Sequence, residues 1–548
     1  MKKLIVIAVA AGVLLGAFGF GALWSHKKLW PYELIRQNDW AVMFKRSVAG
    51  SNQPVRQVRS AFSDFNVKMF DMNVAVSNRI ERGGVDAIGN ELLIMDNRGR
   101  FYWYTREDGG SVETMALEID NNYDALRESG IQFVGHIEDH FGFIDVLTVD
   151  QPGQRAVLAS GLHYHPEDAC LTVRVSRLPV ADGVDFSDAS GTPEDWQPLY
   201  DSAPCLPFEA GPFLELSGGR IALDQAGGLI VTVGSLDRHK AYDGLPHAQD
   251  PAVDYGKVIR VDLQTGETEQ LAMGHRNLQG LAVDDQGRIW TTEHGPKGGD
   301  ELNLIEPGEN HGYPFAVYGT DYGAKSWPLA EKQGFHDGYD RPFYNWTPSV
   351  GLSNVIQDRG SIPEWEGDLL VSSMKAKNIY RIRVREGRAV FAEPIEFGIR
   401  VRDLDQFEDG TIVIWTDTHI VAELEPIEAR EGIPQEVFAG IGEGERGAIE
   451  LAIKQCQTCH EAEPNANVAA APNLWGVYGR EIGRSAYAAY SSALANHGGQ
   501  WDEANLDAFL KDPSGFAPGT TMAIAGISDD GQRAAVIRYL KTLQQRQR

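Results

Sequence analysis

The sequence predicts an N-terminal apolar helix, an all-β propeller of six blades and a small all-α domain, in that order. Three observations carry this reading. An acidic or turn residue, a glycine and an alternating β run return together from about residue 80 to residue 425. An uncharged, mostly apolar run fills Leu4 to Trp24. Helical periodicity replaces strand alternation from Ala448 onward. At 548 residues the chain has room for two or more domains. Its 43% hydrophobic and 23% charged content excludes wholesale disorder. Seventy-seven acidic against fifty basic side chains leave a net charge of -27, which repels phosphate backbones and excludes nucleic-acid binding.

Residues 1–30 read as a transmembrane signal-anchor. Lys2 and Lys3 precede the apolar run, and Lys27 and Lys28 close it. The run is long enough to cross ~30 Å of hydrocarbon as a helix, with Trp24 and Trp30 placed as interfacial anchors. A cleaved signal peptide is the alternative, but no convincing small-x-small site follows and the apolar stretch is long for one. Positive charge on both sides leaves the orientation open at this point.

Residues 31–427 read as the propeller. The pattern recurs at Asp86–Asp96, Asp224–Gly234, Asp284–Thr292, Glu366–Ser373 and Glu408–Thr416, with a weaker copy around Gly153. Leu171–Leu178, Lys257–Leu263 and Asn378–Val384 are outer-strand candidates between the copies. Repeats about 40–80 residues apart, each holding several short strands, are the mark of propeller blades, and the glycines count six. An array of β-sandwiches is the alternative, disfavoured by the long connections and the absence of Cys-Trp-Cys spacing. Residues 428–447, rich in Glu and Gly, read as a linker, and 448–548 as the helical domain.

Cys456-Gln-Thr-Cys459-His460 is a CxxCH motif and reads as attachment of one haem c. Two thiols on one helical turn can form thioethers to the vinyl groups, with the following histidine beneath the iron. CxxC also serves redox and zinc sites, but zinc needs further ligands, and His497 is the only other histidine in this domain, with no other cysteine. Pro472-Asn-Leu-Trp-Gly476 and the stretch Phe509–Leu543, which contains Pro518-Gly-Thr-Thr-Met522, resemble class I cytochrome c. The resemblance covers the whole domain and implies Met522 as the distal iron ligand, a thioether that raises the potential and suits electron transfer. It also implies haem attachment outside the cytoplasmic membrane. The anchor is then a single pass of a bacterial inner membrane, with the bulk of the chain on the periplasmic side. Cys170 and Cys205 fall in that oxidising compartment, where a disulfide is the structural reading and a reactive thiol pair the alternative.

Several propeller segments resemble the soluble aldose, glucose and sorbosone dehydrogenases that carry pyrroloquinoline quinone (PQQ) and calcium. They are Gly274-His-Arg276-Asn277, Glu293-His294-Gly295-Pro296 through Asn303, Trp346-Thr-Pro348-Ser349, Ser-Met-Lys375 and Arg400-Val-Arg402-Asp403. The resemblance implies that Arg276, Asn277, Lys375, Arg400 and Arg402 hold the tricarboxylate cofactor, for which converging cationic groups are the chemical requirement. It implies that the backbone carbonyls of Gly295 and Pro296 hold calcium, a cation that takes oxygen ligands. One departure stands out. In the family a histidine before the Gly-Gly-Arg of the third blade takes the substrate proton. Here that stretch is Leu214-Glu215-Leu216-Ser-Gly218-Gly219-Arg220, which puts Leu216 in its place. His140 is the candidate catalytic base that remains. Glu215 is a worse one, because strand alternation points it away from Leu216's face.

Two functions compete. One is a PQQ- and calcium-dependent dehydrogenase that oxidises a sugar or alcohol and passes electrons to its own haem, then to an acceptor of the respiratory chain. The other is a c-type electron carrier whose propeller binds a ligand or partner and no longer catalyses.

Overall fold

The computed structural model describes most of residues 56–545. Residues 1–55, 73–81, 132–139, 238–244, 427–434, 463–470, Cys459 and several shorter stretches lie outside it. The expected transmembrane segment is among these. Among the described residues, no helix is long and apolar enough to cross a membrane.

Among the described residues six sheets form the β part, antiparallel except where Glu309–Asn310 joins Thr268–Met273 in parallel. Their inner strands are Gly83–Ile88, Phe143–Val149, Gly218–Leu223, Leu278–Val283, Leu352–Gln357 and Val401–Gln406, in blades 1 to 6. Each lies against the inner strand of the next blade, and the sixth against the first. Blade 6 is closed by a strand from the other end of the chain. Asp64–Asp71 pairs antiparallel with Ile420–Pro426, Phe65 opposite Pro426 and Asp71 opposite Ile420. The blade repeats gave no sign of this strand.

The recurring Asp-Gly signal has a local cause. Asp224 Oδ1 accepts from the backbone N–H groups of Ala226 and Gly228 at 2.8 Å each. Asp284 Oδ1 does the same for Gln286 and Arg288 at 2.9 Å each. A side-chain acceptor that satisfies two turn donors fixes the tight reversal between the first and second strands of a blade.

Polar side chains stitch one blade to the next around the hub. Asp86 accepts from Thr148 N at 2.7 Å, Asp145 from Ile221 N at 2.9 Å, and Arg220 Nε donates to Gln279 O at 2.9 Å. Thr292 donates to Ser353 O at 2.6 Å, Ser353 to Val401 O at 2.7 Å, and Asp403 accepts from Val85 N at 3.2 Å. Those six contacts close the ring. Arg220 NH1 also reaches Asp145 at 3.1 Å and Asp403 at 2.6 Å. Cys170 and Cys205 form a disulfide with Cα atoms 5.6 Å apart, beside the pairing of Leu206–Pro207 with the strand Cys170–Pro179.

The C-terminal part is helical. Asp502 caps the helix Glu503–Lys511 by accepting from Asn505 N at 2.8 Å. Leu506, Phe509 and Leu510 from that helix pack with Ala535, Val536, Tyr539, Leu540 and Leu543 from Asp530–Gln545, the one-face spacing of a 3.6-residue period. Val437 and Phe438, inside the stretch expected as a linker, form part of a 3-10 turn and are buried in this core. Arg538 Nε donates to Val437 O at 3.1 Å. Packing in the helical domain therefore begins by residue 437, earlier than the expected boundary at 448, because two apolar residues suffice to dock the turn.

The hub carboxylates make stability depend on pH. Burial, with Asp405 nearby, pushes Asp86 up to about 8, and burial pushes Asp145 up to about 7 and Asp405 up to about 6. The native state then holds protons that the unfolded chain has already released. Stability is therefore expected to fall as pH rises from about 4 towards 8. Asp86→Asn keeps an acceptor for Thr148 and is expected to flatten that fall, as read from urea midpoints at pH 5 and pH 8. An unchanged slope would remove Asp86 from the cause.

Candidate active site at one end of the propeller

In an antiparallel blade the start of the inner strand lies beside the end of the second strand. Residues just before the first and just after the second therefore gather at one end of the propeller. Arg82, His140, Glu215, Arg276, Asn277 and Arg400 precede inner strands, and Arg402 lies at the start of one. His294, Gly295, Pro296, Lys375 and Asp417 follow second strands. The predicted cofactor residues, scattered over more than a hundred positions, are thus brought to one face by topology alone.

Glu293 orients the Gly-His-Arg-Asn turn. Its carboxylate accepts from His275 Nδ1 at 3.0 Å, Arg276 N at 2.7 Å and Asn303 Nδ2 at 2.9 Å. Burial pushes its pKa up, but His275 and these donors outweigh burial and hold it below the usual carboxylate range. Arg276, so placed, donates through NH1 to His294 O at 3.0 Å and Gly295 O at 3.1 Å. Its Nε is buried without a hydrogen-bond partner among the described residues. Asn277 Oδ1 accepts from Gln279 Nε2 at 2.8 Å. Gln279 shares a cavity lining with Arg82, Arg220 and Arg402, and sequence reasoning had not singled it out.

Arg400 and Arg402 both hold Asp417, at 2.5 and 3.2 Å. Two guanidiniums on one carboxylate leave one net positive charge. Arg400 NH1 also reaches Met374 O at 3.5 Å, next to Lys375. Lys375 is exposed, with its ammonium in no hydrogen bond or ion pair among the described residues. Arg276, Lys375 and the Arg400–Arg402–Asp417 group thus offer three net positive charges to an anion.

The third-blade turn differs from expectation. Leu214–Leu216 is a 3-10 turn and not a strand, so alternation does not apply. Leu214 and Leu216 turn inward and Leu216 is 2% exposed. Glu215 turns outward, its side chain 50% exposed, and its Oε1 lies 3.2 Å from His140 Nε2. Glu215 thus points away from Leu216's face as expected, but that direction brings it to His140, so it does not count against Glu215 as a site residue. His140 Nδ1 lies 3.2 Å from Arg82 NH2, and Arg82 NH1 donates to Ser217 Oγ at 3.1 Å. Both ring nitrogens of His140 are therefore engaged. Arg82 had been passed over, because a lone arginine before Gly83-Gly84 carries no motif.

In the helical domain, His460 N donates to Cys456 O at 3.0 Å, which sets Cys456 and His460 one helical turn apart. His460 Nδ1 donates to Pro472 O at 2.6 Å and leaves Nε2 as the free nitrogen. Arg480 NH2 donates to Asn473 O at 2.8 Å and so ties down the loop carrying that carbonyl. Met522 packs against the domain core, partly buried. Cys459 lies outside the described residues.

A family model described as Glucose / Sorbosone dehydrogenase matches residues 184–422. Aldose sugar dehydrogenase YliI of Escherichia coli is 29% identical over 218 residues, which are 36% of this chain and 57% of that one. The chain spans about half the length of such propeller relatives. Cytochrome c of Tetrahymena pyriformis is 40% identical over 111 residues, 20% of this chain and 99% of that one. A solved structure titled glucose dehydrogenase, 26% identical, superposes with a TM-score of 0.51 over 66% of this chain and all of its own.

The helical domain yields a direct test. In the haem-loaded protein, Met522→Ala is expected to lower the reduction potential or open the iron to carbon monoxide. A variant with unchanged spectrum, potential and ligand access would take Met522 out of the coordination sphere.

Proposed function

Because the chain belongs to the cytochrome c family over its last hundred or so residues and joins that domain to a glucose/sorbosone dehydrogenase-type propeller, we propose that it is a membrane-anchored periplasmic quinohaemoprotein that oxidises a sugar or alcohol. The observation that carries this reading is the gathering of Arg276, Lys375, Arg400 and Arg402 at one end of the propeller. When bound, PQQ with calcium supplies a hydride acceptor and haem c supplies a one-electron acceptor.

The residues fit such a cofactor. Three net positive charges would face a tricarboxylate, and Arg276 Nε is a buried donor without a partner among the described residues, costly to leave so and open to an incoming carboxylate. Asn277 and Gln279 add neutral polar contacts. Gly295 sits so close to the carbonyl oxygens of Gly298 and Gly299 that a Cβ there would lie 2.3 Å from each. A loop this crowded with carbonyl oxygens suits calcium, with Gly295 O and Pro296 O as its backbone ligands. Gly295 O already accepts from Arg276 and would use its second lone pair.

In the helical domain, Cys456 and Cys459 would carry the haem through thioethers, and His460 Nε2 and Met522 would hold the iron. Fusion places this acceptor at high effective concentration near the propeller, and electrons would leave it for an acceptor of the respiratory chain. The Cys170–Cys205 disulfide supports an oxidising compartment, and the run from Leu4 to Trp24 supports a single membrane crossing with Lys2 and Lys3 inside. The rival reading, an electron carrier with a binding propeller, is favoured by Leu216, which supplies no proton acceptor where the family has one.

Uptake of PQQ separates the two. The full chain is expected to bind PQQ with calcium stoichiometrically and to show sugar- or alcohol-dependent haem reduction. Lys375→Gln removes one charge-assisted contact and is expected to weaken PQQ binding by about 10-fold or more while leaving the melting temperature unchanged. Equal affinity in that variant would exclude Lys375 from the site. For topology, protease added to spheroplasts is expected to digest propeller and cytochrome while an N-terminal tag survives. A mature protein that begins near residue 25 and washes off with salt would replace the anchor by a signal peptide.

A further inference from the structure

The absence of a histidine at position 216 leaves the substrate hydroxyl without its usual proton acceptor, and the structure offers another group one residue away. The 3-10 turn sends Glu215 outward while both flanking leucines go into the core. An arginine can only donate, so His140 Nδ1, 3.2 Å from Arg82 NH2, is an acceptor. The ring proton then resides on Nε2 and is donated to Glu215 Oε1 at 3.2 Å. Arg82 is itself fixed by Ser217, within the same turn. Glu215 Oε2 is left without a hydrogen-bond partner among the described residues. The neighbourhood belongs to the site above, since Arg82 lines the hub cavity with Arg220, Gln279 and Arg402. Arg276 is close enough for its charge to act on Glu215.

We infer that Glu215 is the proton acceptor for the substrate hydroxyl, with His140 and Arg82 as its positioning residues, an inference that rests on the quinone reading above. The substrate O–H bond breaks and its proton forms a new O–H bond on Glu215. The electron pair of that bond becomes the second C–O bond of the carbonyl product. The adjacent C–H bond breaks, and its electron pair leaves with the hydrogen as hydride to the quinone oxidant. The hydrogen bond from His140, then the charges of Arg82 and Arg276, hold the Glu215 carboxyl below the usual range. Glu215 is thus present as the charged acceptor, and it takes the proton as the hydride departs and the hydroxyl grows acidic. His140, with both nitrogens engaged, is not free to take the proton itself.

The full chain, loaded with haem, PQQ and calcium, tests this in four readouts. Glu215→Gln is expected to retain PQQ uptake and KM but lose about 10²-fold or more in kcat for sugar-dependent haem reduction. Glu215→Asp is expected to recover part of the loss, and His140→Gln to fall less than Glu215→Gln. Nitrogen-15 spectra, which need no turnover, are expected to show His140 as the Nε2–H tautomer and to change in Glu215→Gln. Turnover that survives in Glu215→Gln but is lost in His140→Gln would make His140 the acceptor and overturn the inference. Full kcat in Glu215→Gln overturns it, as does loss of PQQ uptake in that variant, which would make Glu215 a binding group. Binding without turnover of any aldose or alcohol by the unmodified chain also overturns it. No PQQ uptake by the unmodified chain overturns instead the reading on which it rests.

Discussion

One buried guanidinium holds the propeller together. Arg220, 4% exposed, belongs to blade 3 but reaches Asp145 of blade 2, Gln279 O of blade 4, and both Asp403 and Arg402 O of blade 6. Taking a cation out of water costs several kcal/mol unless it is paired, and four hydrogen bonds to four partners, two of them carboxylates, offset that cost. The backbone makes room for it. Gly218 and Gly219 both adopt positive φ, and a Cβ on Gly219 would lie 2.6 Å from Ile144. The Gly-Gly-Arg triplet is therefore a packing device first. Two of its partners, Gln279 and Arg402, also line the cavity, so the geometry of the hub sets the geometry of the site.

The site itself is a balance of charges within a strongly acidic chain. Asp417 restrains two arginines that would otherwise repel each other, and Glu293 spends its acceptors on the turn that carries Arg276. Positive charge is thereby delivered in fixed directions, with less left to diffuse repulsion. Glu215 adds a carboxylate at the rim, opposite in sign to the groups that would grip an anion and therefore suited to the uncharged end of a reaction rather than to cofactor binding.

What the sequence disclosed follows from the range of the interactions involved. Blades were readable because turns such as those at Asp224 and Asp284, between first and second strands, close their hydrogen bonds within four residues. The haem motif and the basic set were readable for the same reason, as short strings with a chemical requirement behind them. The strand Asp64–Asp71 was not, since its partner lies at the far end of the propeller and its own residues carry no turn signal. Glu215 was misjudged because the site was sought on the face of Leu216, and only the fold shows that this face is buried while the opposite one meets His140. Arg82 gains meaning only from His140, Ser217 and the cavity, all of them distant in the chain. Val437 and Phe438 were lost in a Glu- and Gly-rich stretch because two apolar residues make no period.

The closure of blade 6 has a consequence for the order of events during synthesis. The strand Asp64–Asp71 leaves the ribosome early, with only Arg56–Arg59 to pair with, and waits for its other partner in that blade, made about 350 residues later. At about 5–20 residues per second the delay is roughly 20–70 s. Until then the ring is an open arc with an unpaired edge at each end, the form most prone to pairing with other chains. The cytochrome segment emerges only after the seam has its last strand. A cell that makes this protein must therefore shield an unfinished ring for most of its translation, and the haem domain enters the queue for its cofactor last.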